Sequence, residues 1–283
     1  RSREEGELTG AAIEALLLGE ASPAIEAQWE EKLLPDAGSE LIYALAELND
    51  RHPWRMPAAR ELPLSAFKVL VRDALNGLIE RGDRRAFGLH EHRNRVGILF
   101  AGRLLRPFGG DAARFGSALR RALAEAGEDT WLYVGSPVRR LKDVRRSYET
   151  ARQALQYKFV EDGARVLVYD RLAAVELQHT AVEGEAGGEL AEQIELGDDG
   201  AIAEAVDRLF RTIRERRLAP EAVKTCIQLC VLAAVRTIRG MDGDERSLAS
   251  LAPIVGWNDL HLSPAELEAR IRDKWDAQNL SRA

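Results

Sequence analysis

Two histidines that flank a glutamate are the residues whose types and spacing come closest to a chemical site. His90, Glu91 and His92 follow one another in the chain. On a β-strand, residues two apart point to the same face, so both imidazoles would be placed as ligands of a transition metal are. A third ligand is not visible in the sequence. The preferred interpretation is therefore a solvated hairpin turn, and no metal site is predicted.

Two further motifs have the outline of a site but lack its chemistry. Cys226 and Cys230 lie four residues apart in an apolar run. A zinc site or a disulfide framework needs more ligands, so we interpret both as buried thiols in a reducing compartment. Gly109-Gly110-Asp111 has the glycines of a phosphate loop without the lysine and hydroxyl residue of a P-loop. A loop in which Asp111 caps a helix is the predicted structure.

Hydrophobic periodicity predicts a mixture of strands and helices over the first 180 residues. The predicted strands are residues 41–48, 86–90, 96–101, 130–135 and 165–169. Two helices within residues 9–35, one over 64–81, one from Asp111 and one over 144–159 are expected to pack on them. Residues 91–95 form the polar turn of a hairpin. Because hairpins alternate with helical crossovers, the pattern indicates an α+β sheet with packed helices.

The remaining residues have a purely helical pattern. A stretch rich in glycine and glutamate at residues 183–189 predicts a linker, and helices are expected over 202–216, over 220–239 and from Ser263. We therefore predict three parts: N-terminal helices at 1–36, an α+β domain at 37–180 and a helical domain at 181–283.

Composition excludes one class of protein. The chain of 283 residues carries a net charge of −6, whereas a free-standing DNA-binding domain usually carries a clustered basic excess. We find no signal peptide and no long apolar run, so a cytoplasmic chain without a membrane anchor is expected. We also expect it to be a part of a longer protein.

The residues from 141 to 169 resemble a known family. Ser147-Tyr148-Glu149-Thr150-Ala151-Arg152-Gln153-Ala154-Leu155 and the following Gly163-Ala164-Arg165-Val166 resemble the closing helix and strand of GGDEF domains. The serine-tyrosine start, together with Ala15-Leu16-Leu17-Leu18-Gly19-Glu20, resembles the central segment of YesN-type response regulators, which end in an AraC-type helix-turn-helix. The resemblance implies a GGDEF-like sheet of the nucleotide-cyclase, ferredoxin-like type.

The same resemblance implies that cyclase chemistry is lost. A diguanylate cyclase holds two metal ions with acids on its first strand and its central hairpin. The matching hairpin here, residues 90–95, has no glycine pair and one carboxylate, Glu91. The matching strand end, Glu47-Leu48-Asn49-Asp50, has Asn49 in place of one acid. We therefore expect no enzyme activity, no catalytic residues and no cofactor.

Two functions remain open at this point. The first is a non-catalytic sensor, dimerisation or signal-relay segment, a homodimer that works with flanking receiver and helix-turn-helix domains and does not itself bind DNA. The alternative is a domain that binds a small effector or nucleotide in the former cyclase cleft. The residues expected to line that cleft are Glu47, Asn49, His90, Glu91 and Arg93.

Overall fold

The apolar run LIYALAEL forms the central strand of a five-stranded sheet. In the computed structural model this strand, β1 (Leu41–Leu48), lies between two neighbours in the order β2-β3-β1-β4-β5. Its neighbours β3 (Arg95–Ala101) and β4 (Thr130–Val134) both run antiparallel to it. β2 (Phe87–His92) pairs antiparallel with β3 at one edge, and β5 (Val166–Val168) pairs parallel with β4 at the other. The predicted α+β fold class is confirmed.

The structure describes residues 9–36, 38–49, 62–80, 83, 86–160, 164–180, 185–196, 199–240, 267, 268 and 271. Two units are distinguished along the chain. The first comprises residues 1–49, 55–155 and 163–174 and contains the sheet. The second comprises residues 50–54, 156–162 and 175–283. The predicted boundaries at 36 and 180 stay a prediction.

The helices of the first unit cover the two faces of its sheet. α1 (Gly10–Leu18), α2 (Pro23–Leu33) and α3 (Leu64–Leu78) precede α4 (Ala112–Glu125), α5 (Val144–Leu155) and the short α6 (Tyr169–Leu172). Helices α1 and α5 contact the strand face that carries Tyr43 and His90, whereas α3 and α4 contact the opposite face. Each helix buries an apolar stripe, such as Phe67, Val71 and Leu75 of α3, and this burial supplies most of the stabilisation.

Several helix ends are determined by local chemistry. Thr9 accepts the Ala12 N–H at 3.3 Å and so caps α1, which ends at Gly19 with φ +74°. The predicted cap of α4 is present, because the Asp111 carboxylate accepts the Ala113 N–H at 2.8 Å. The loop interpretation of the preceding glycines is therefore confirmed.

Several predicted elements have different ends in the structure. The helix expected over 64–81 ends at Leu78, because Ile79 adopts an extended backbone that buries its side chain. The helix expected over 144–159 ends at Leu155. The strand expected over 165–169 is reduced to Val166–Val168, and Tyr169 begins α6. A periodic pattern locates an element more accurately than it locates the ends of that element.

The hairpin differs most from its prediction. The strand expected to stop at His90 continues to His92, and the next strand begins at Arg95. The turn is therefore the pair Arg93-Asn94, with Arg93 at φ +56°. The interpretation of His90 as part of a solvated turn is wrong, since its side chain is 3% exposed. Strand pairing with β3 carries it onto the covered face of the sheet.

Helices make up the second unit as the structure describes it. α7 (Glu185–Leu196) packs on both α8 (Asp199–Glu215) and α9 (Pro220–Gly240). Their core includes Phe210, Ile227, Leu267 and Ile271. Most of the helix expected from Ser263 lies outside the described residues. Neither cysteine forms a disulfide bond, and both are buried in this core, as predicted. Burial beside the Cys226 thiol raises the pKa of Cys230 to about 12.

Among the helices that the structure describes, none combines the length and the apolarity needed to cross a membrane.

Candidate functional site

A buried hydrogen bond joins two strands of the sheet across the strand between them. The Tyr43 hydroxyl on β1 and His90 Nε2 on β2 lie 2.6 Å apart. They meet above β3 at Gly97, which faces His90 in the strand register. A Cβ atom at position 97 would collide with both the hydroxyl and the imidazole. The missing side chain therefore makes room for this bond.

Helix α5 completes a cluster of polar and aromatic side chains on this face. The Tyr148 hydroxyl lies 3.1 Å from His92 Nε2, and the Tyr148 ring meets the Tyr43 ring edge-on with centroids 5.2 Å apart. The histidine rings are neighbours, with centroids 6.0 Å apart. We call Tyr43, His90, His92 and Tyr148 the histidine–tyrosine cluster. The two histidines lie two residues apart on one face of β2, and both pack in this cluster.

The serine that precedes Tyr148 ties the helix to the central strand. Its hydroxyl accepts the Tyr43 N–H at 2.9 Å, and the Ser147 side chain is fully buried. Gly135 permits this approach, because a Cβ there would collide with the Ser147 carbonyl oxygen. The serine-tyrosine pair that carried the family resemblance thus anchors α5 on β1.

Burial controls the charge state of the cluster. Removal from water, with help from the neighbouring His92 and Lys68, lowers the pKa of His90 to about 4. Burial also lowers the pKa of His92, with nearby arginines adding to the effect. Burial acts against protonation of both histidines because a charged imidazole loses its hydration. Burial raises the pKa of Tyr43 well above its usual value, so Tyr43 and the two histidines are neutral at pH 7.

The carboxylate at the end of β1 is neutralised by the hairpin. Glu47 is 1% exposed, and Arg95, its register partner on β3, donates to it from Nε at 2.5 Å. The Tyr133 hydroxyl donates to the other carboxylate oxygen at 3.4 Å. Burial and this carboxylate raise the pKa of Tyr133. The Glu47 carboxylate is thus held by an arginine and a tyrosine.

A second polar group follows at the same end of the sheet. Asn49 donates to Asp129 at 2.9 Å and accepts from the Trp131 indole at 3.4 Å. Arg165 pairs with Asp129 at 3.1 Å and lies over the Trp131 ring, 4.7 Å from its centroid. The Asn49 side chain therefore links two strand ends and has its polar atoms in use.

The remaining predicted cleft residues point elsewhere. Glu91 alternates onto the opposite face from His90 and lies 3.4 Å from Lys68 Nζ. Arg93 is exposed in the turn, and Asp50 lies outside the described residues. The structure thus places Glu47 beside the hairpin, through Arg95, but does not bring the five predicted residues to one open cleft. Within the described part of the chain, no three metal-ligating side chains cluster.

The sequence interpretation missed Tyr43, Gly97, Arg95 and Tyr148 as partners in this region. One signal was available, because a single glycine inside the strand pattern RVGILFA often marks a close approach of another group. The identity of that group depends on strand order, which no local pattern contains.

Residues 24–157 match the family model described as a GGDEF-like domain. Among solved structures, one similar chain is the regulator of polyketide synthase expression from Bifidobacterium adolescentis, at 16% identity and a TM-score of 0.30 over 96% of this chain and 97% of that one. No curated protein matches at a significant level. Strands β1 to β4 of the sheet lie within this matched segment, which covers less than half of the chain.

Proposed function

We propose that this chain is a non-catalytic regulatory segment of a bacterial transcription regulator. The observation that supports the loss of cyclase chemistry is the buried pair of Glu47 and Arg95. Two-metal catalysis requires acidic groups that are free to bind cations at the strand end and the hairpin. Here the strand-end acid already has a cationic partner, and Glu91 faces away from it. The domain then acts through its contacts.

The finer part of the proposal concerns the protein context. The resemblance over residues 141–169 supports a YesN-type arrangement, in which a receiver precedes this segment and an AraC-type helix-turn-helix follows it. In that arrangement the segment works in the cytoplasm as a homodimer and passes a signal towards the DNA-binding domain. The net charge of −6 supports a segment that does not itself bind DNA.

A product assay tests the absence of catalysis. The purified chain is incubated with GTP and Mg²⁺ beside an active diguanylate cyclase, and the products are separated by chromatography. We expect neither cyclic dinucleotide nor GTP hydrolysis from this chain. Formation of either product above the rate without protein would contradict a non-catalytic role.

A fusion assay tests the relay and dimerisation role. The chain is fused to a helix-turn-helix domain that represses a reporter only as a dimer, and the same domain without the chain is the control. We expect the fusion to repress the reporter and the control domain not to repress it. We also expect the free chain to sediment as a dimer. A monomeric chain without repression would contradict the dimer. Tight operator binding by the free chain at physiological salt would contradict its place as a relay.

The effector-binding alternative in the former cleft has weaker support. Glu47, Asn49 and His90 already have buried partners, so a ligand would have to replace existing bonds. A thermal melt with GTP, a cyclic dinucleotide and a sugar distinguishes the two. Arg93 is an exposed residue of the predicted cleft, so Arg93→Ala is the comparison. We expect any rise in melting temperature to be the same in this variant as in the original chain. A rise that disappears in the variant would favour the alternative.

A further inference from the structure

A depression on the solvent side of α4 is lined by three arginines. Its volume is about 420 Å³. It is lined by Arg114, Ser117 and Arg121 of α4, by Arg171 of α6, and by Phe108. It lies on the outer side of the helix, since Phe115, Leu119 and Leu123 form the buried side. The volume falls within the range of about 300–1,000 Å³ that small-molecule sites occupy.

The arrangement of the floor suits a ligand that reaches along the helix. Residues 114, 117, 118 and 121 follow the helical spacing that puts them in one row. Ser117 and Ala118 are small, so the centre of the row stays open between two arginines. The two arginines are seven residues apart, which is about 10 Å along the helix axis. Arg171 adds a third guanidinium from α6.

One carboxylate partly neutralises these charges. Asp111 lies 2.8 Å from the Arg171 guanidinium and 3.7 Å from Arg114 Nε. It also caps α4, and the bonds that it accepts from the Ala113 and Arg114 N–H groups, together with the Arg171 guanidinium, lower its pKa. The helix N-terminus is therefore already occupied. In the part of the chain that the structure describes, Arg121 has no ion pair, and the depression keeps a formal charge of +2 from three arginines and one aspartate.

We propose that this depression binds a small organic phosphate. Guanidinium groups match the geometry of phosphate oxygens and stay charged at all physiological pH values. Arg114 and Arg171 hold the phosphate, the Ser117 hydroxyl donates to it or to the organic part, and Arg121 binds a further anionic or polar group. Phe108 contributes half-buried aromatic surface for the organic part. The depression does not overlap the former cyclase cleft, and the proposal does not depend on the regulatory role.

Asp111 gives the proposal its sharpest consequence. Because this carboxylate competes with a phosphate for Arg114 and Arg171, the ligand binds more tightly when the negative charge is removed. Asparagine caps a helix as well as aspartate does, so Asp111→Asn changes the charge and keeps the cap. We expect affinity for the phosphate to rise about fivefold in this variant, which is the change expected from removing one nearby charge at a surface.

Calorimetry with pyrophosphate and AMP tests the site, with adenosine as the uncharged comparison. We expect both phosphates to bind and adenosine not to bind. Arg171→Gln and Arg121→Gln should each weaken binding about tenfold. Arg139→Gln is the matched control, because Arg139 is also an exposed arginine, 77% exposed and 3.8 Å from Glu40, but lies outside the depression. Its affinity should equal that of the original protein.

Three results would overturn the proposal. The first is the absence of binding by either phosphate. The second is an equal loss in Arg171→Gln and in Arg139→Gln, which indicates nonspecific attraction. The third is binding of a phosphoserine peptide without binding of AMP or pyrophosphate, which assigns the depression to a protein partner. Thermal melts of the variants check that each one remains folded.

Discussion

The Tyr43 hydroxyl and His90 Nε2 are hydrogen bonded at 2.6 Å across an intervening strand that has a glycine beneath them. The bond connects the central strand with the edge strand of the sheet. It forms on the face where α5 packs through Ser147 and Tyr148. The side chains most typical of catalysis in this sequence are therefore part of the packing between sheet and helix.

Replacing the strand glycine should break this bond. In Gly97→Ala the new methyl group occupies the space of the Tyr43 hydroxyl and the His90 imidazole. Both must move, and buried polar atoms lose their partner, so we expect a loss of about 2–3 kcal/mol in the free energy of unfolding. Urea denaturation followed by circular dichroism measures it.

A glycine in open space provides the control for that substitution. Gly77 lies near the end of α3, and a Cβ there meets nothing within 4 Å. Gly77→Ala should leave stability unchanged or raise it by up to about 1 kcal/mol, because alanine favours the helix. Equal losses in the free energy of unfolding for the two substitutions would show that the collision at Gly97 does not cause the destabilisation.

The free energy of unfolding should decrease as the pH is lowered and His90 becomes protonated. A free histidine has a pKa of about 6.5, and burial lowers the pKa of His90 to about 4. As pH falls below 6.5 the unfolded chain takes up the proton before the folded one does, so stability is lost between about pH 6.5 and pH 4. The full loss from this residue is about 3 kcal/mol.

Comparison with His90→Gln isolates this residue from the carboxylates that titrate in the same range. The variant has a lower stability at pH 7.5, since it alters a buried hydrogen bond, but a shallower decline towards pH 4.5. Urea denaturation at several pH values measures both slopes. Parallel curves for the two proteins would mean that His90 is protonated as easily in the folded chain as in the unfolded one.

The Glu47–Arg95 pair should show the behaviour of a buried ion pair. Arg95→Met leaves the Glu47 carboxylate without its cation in a nearly fully buried position, which costs about 3–5 kcal/mol. In the double variant Glu47→Gln/Arg95→Met no charge is left, and most of this loss should be recovered. Denaturant unfolding of the single and double variants gives the interaction free energy between the two side chains.

An exposed ion pair provides the comparison. Arg145 and Glu149 lie 3.0 Å apart on α5 with side chains 65% and 51% exposed. Arg145→Met should cost no more than about 0.5 kcal/mol, because water screens such a pair. If Arg95→Met costs as little, the carboxylate of Glu47 has access to water and remains available to a cation.

The two cysteines should resist thiol reagents in the folded protein. Both are buried, and the pKa of Cys230 is raised to about 12, so almost no Cys230 thiolate exists at pH 8. A colorimetric thiol assay should show reaction only as denaturant unfolds the second unit. Leu229→Cys, at a position on the same helix that is 41% exposed, is expected to react at once. Rapid reaction of the native thiols would contradict their place in the core.

The secondary-structure elements and the fold class of this protein follow from local patterns in its amino-acid sequence. Period-two and period-3.6 apolar patterns located the strand Leu41–Leu48 and helices such as α4 and α9, because these patterns depend on neighbours along the chain. The cap at Asp111 was predictable for the same reason. The single carboxylate of the hairpin, Glu91, and the asparagine at the strand end, Asn49, could likewise be identified from the sequence.

The environment of the polar residues, in contrast, depends on contacts that form in the folded chain. His90 has a polar side chain next to a turn, and nothing local shows that Tyr43, 47 residues earlier, lies within hydrogen-bond distance. The partner of Glu47 likewise depends on which strand pairs with β1 and in which register. Burial and charge pairing arise from contacts between residues far apart in the chain, and a one-residue change in register would turn each of these side chains to the other face of the sheet.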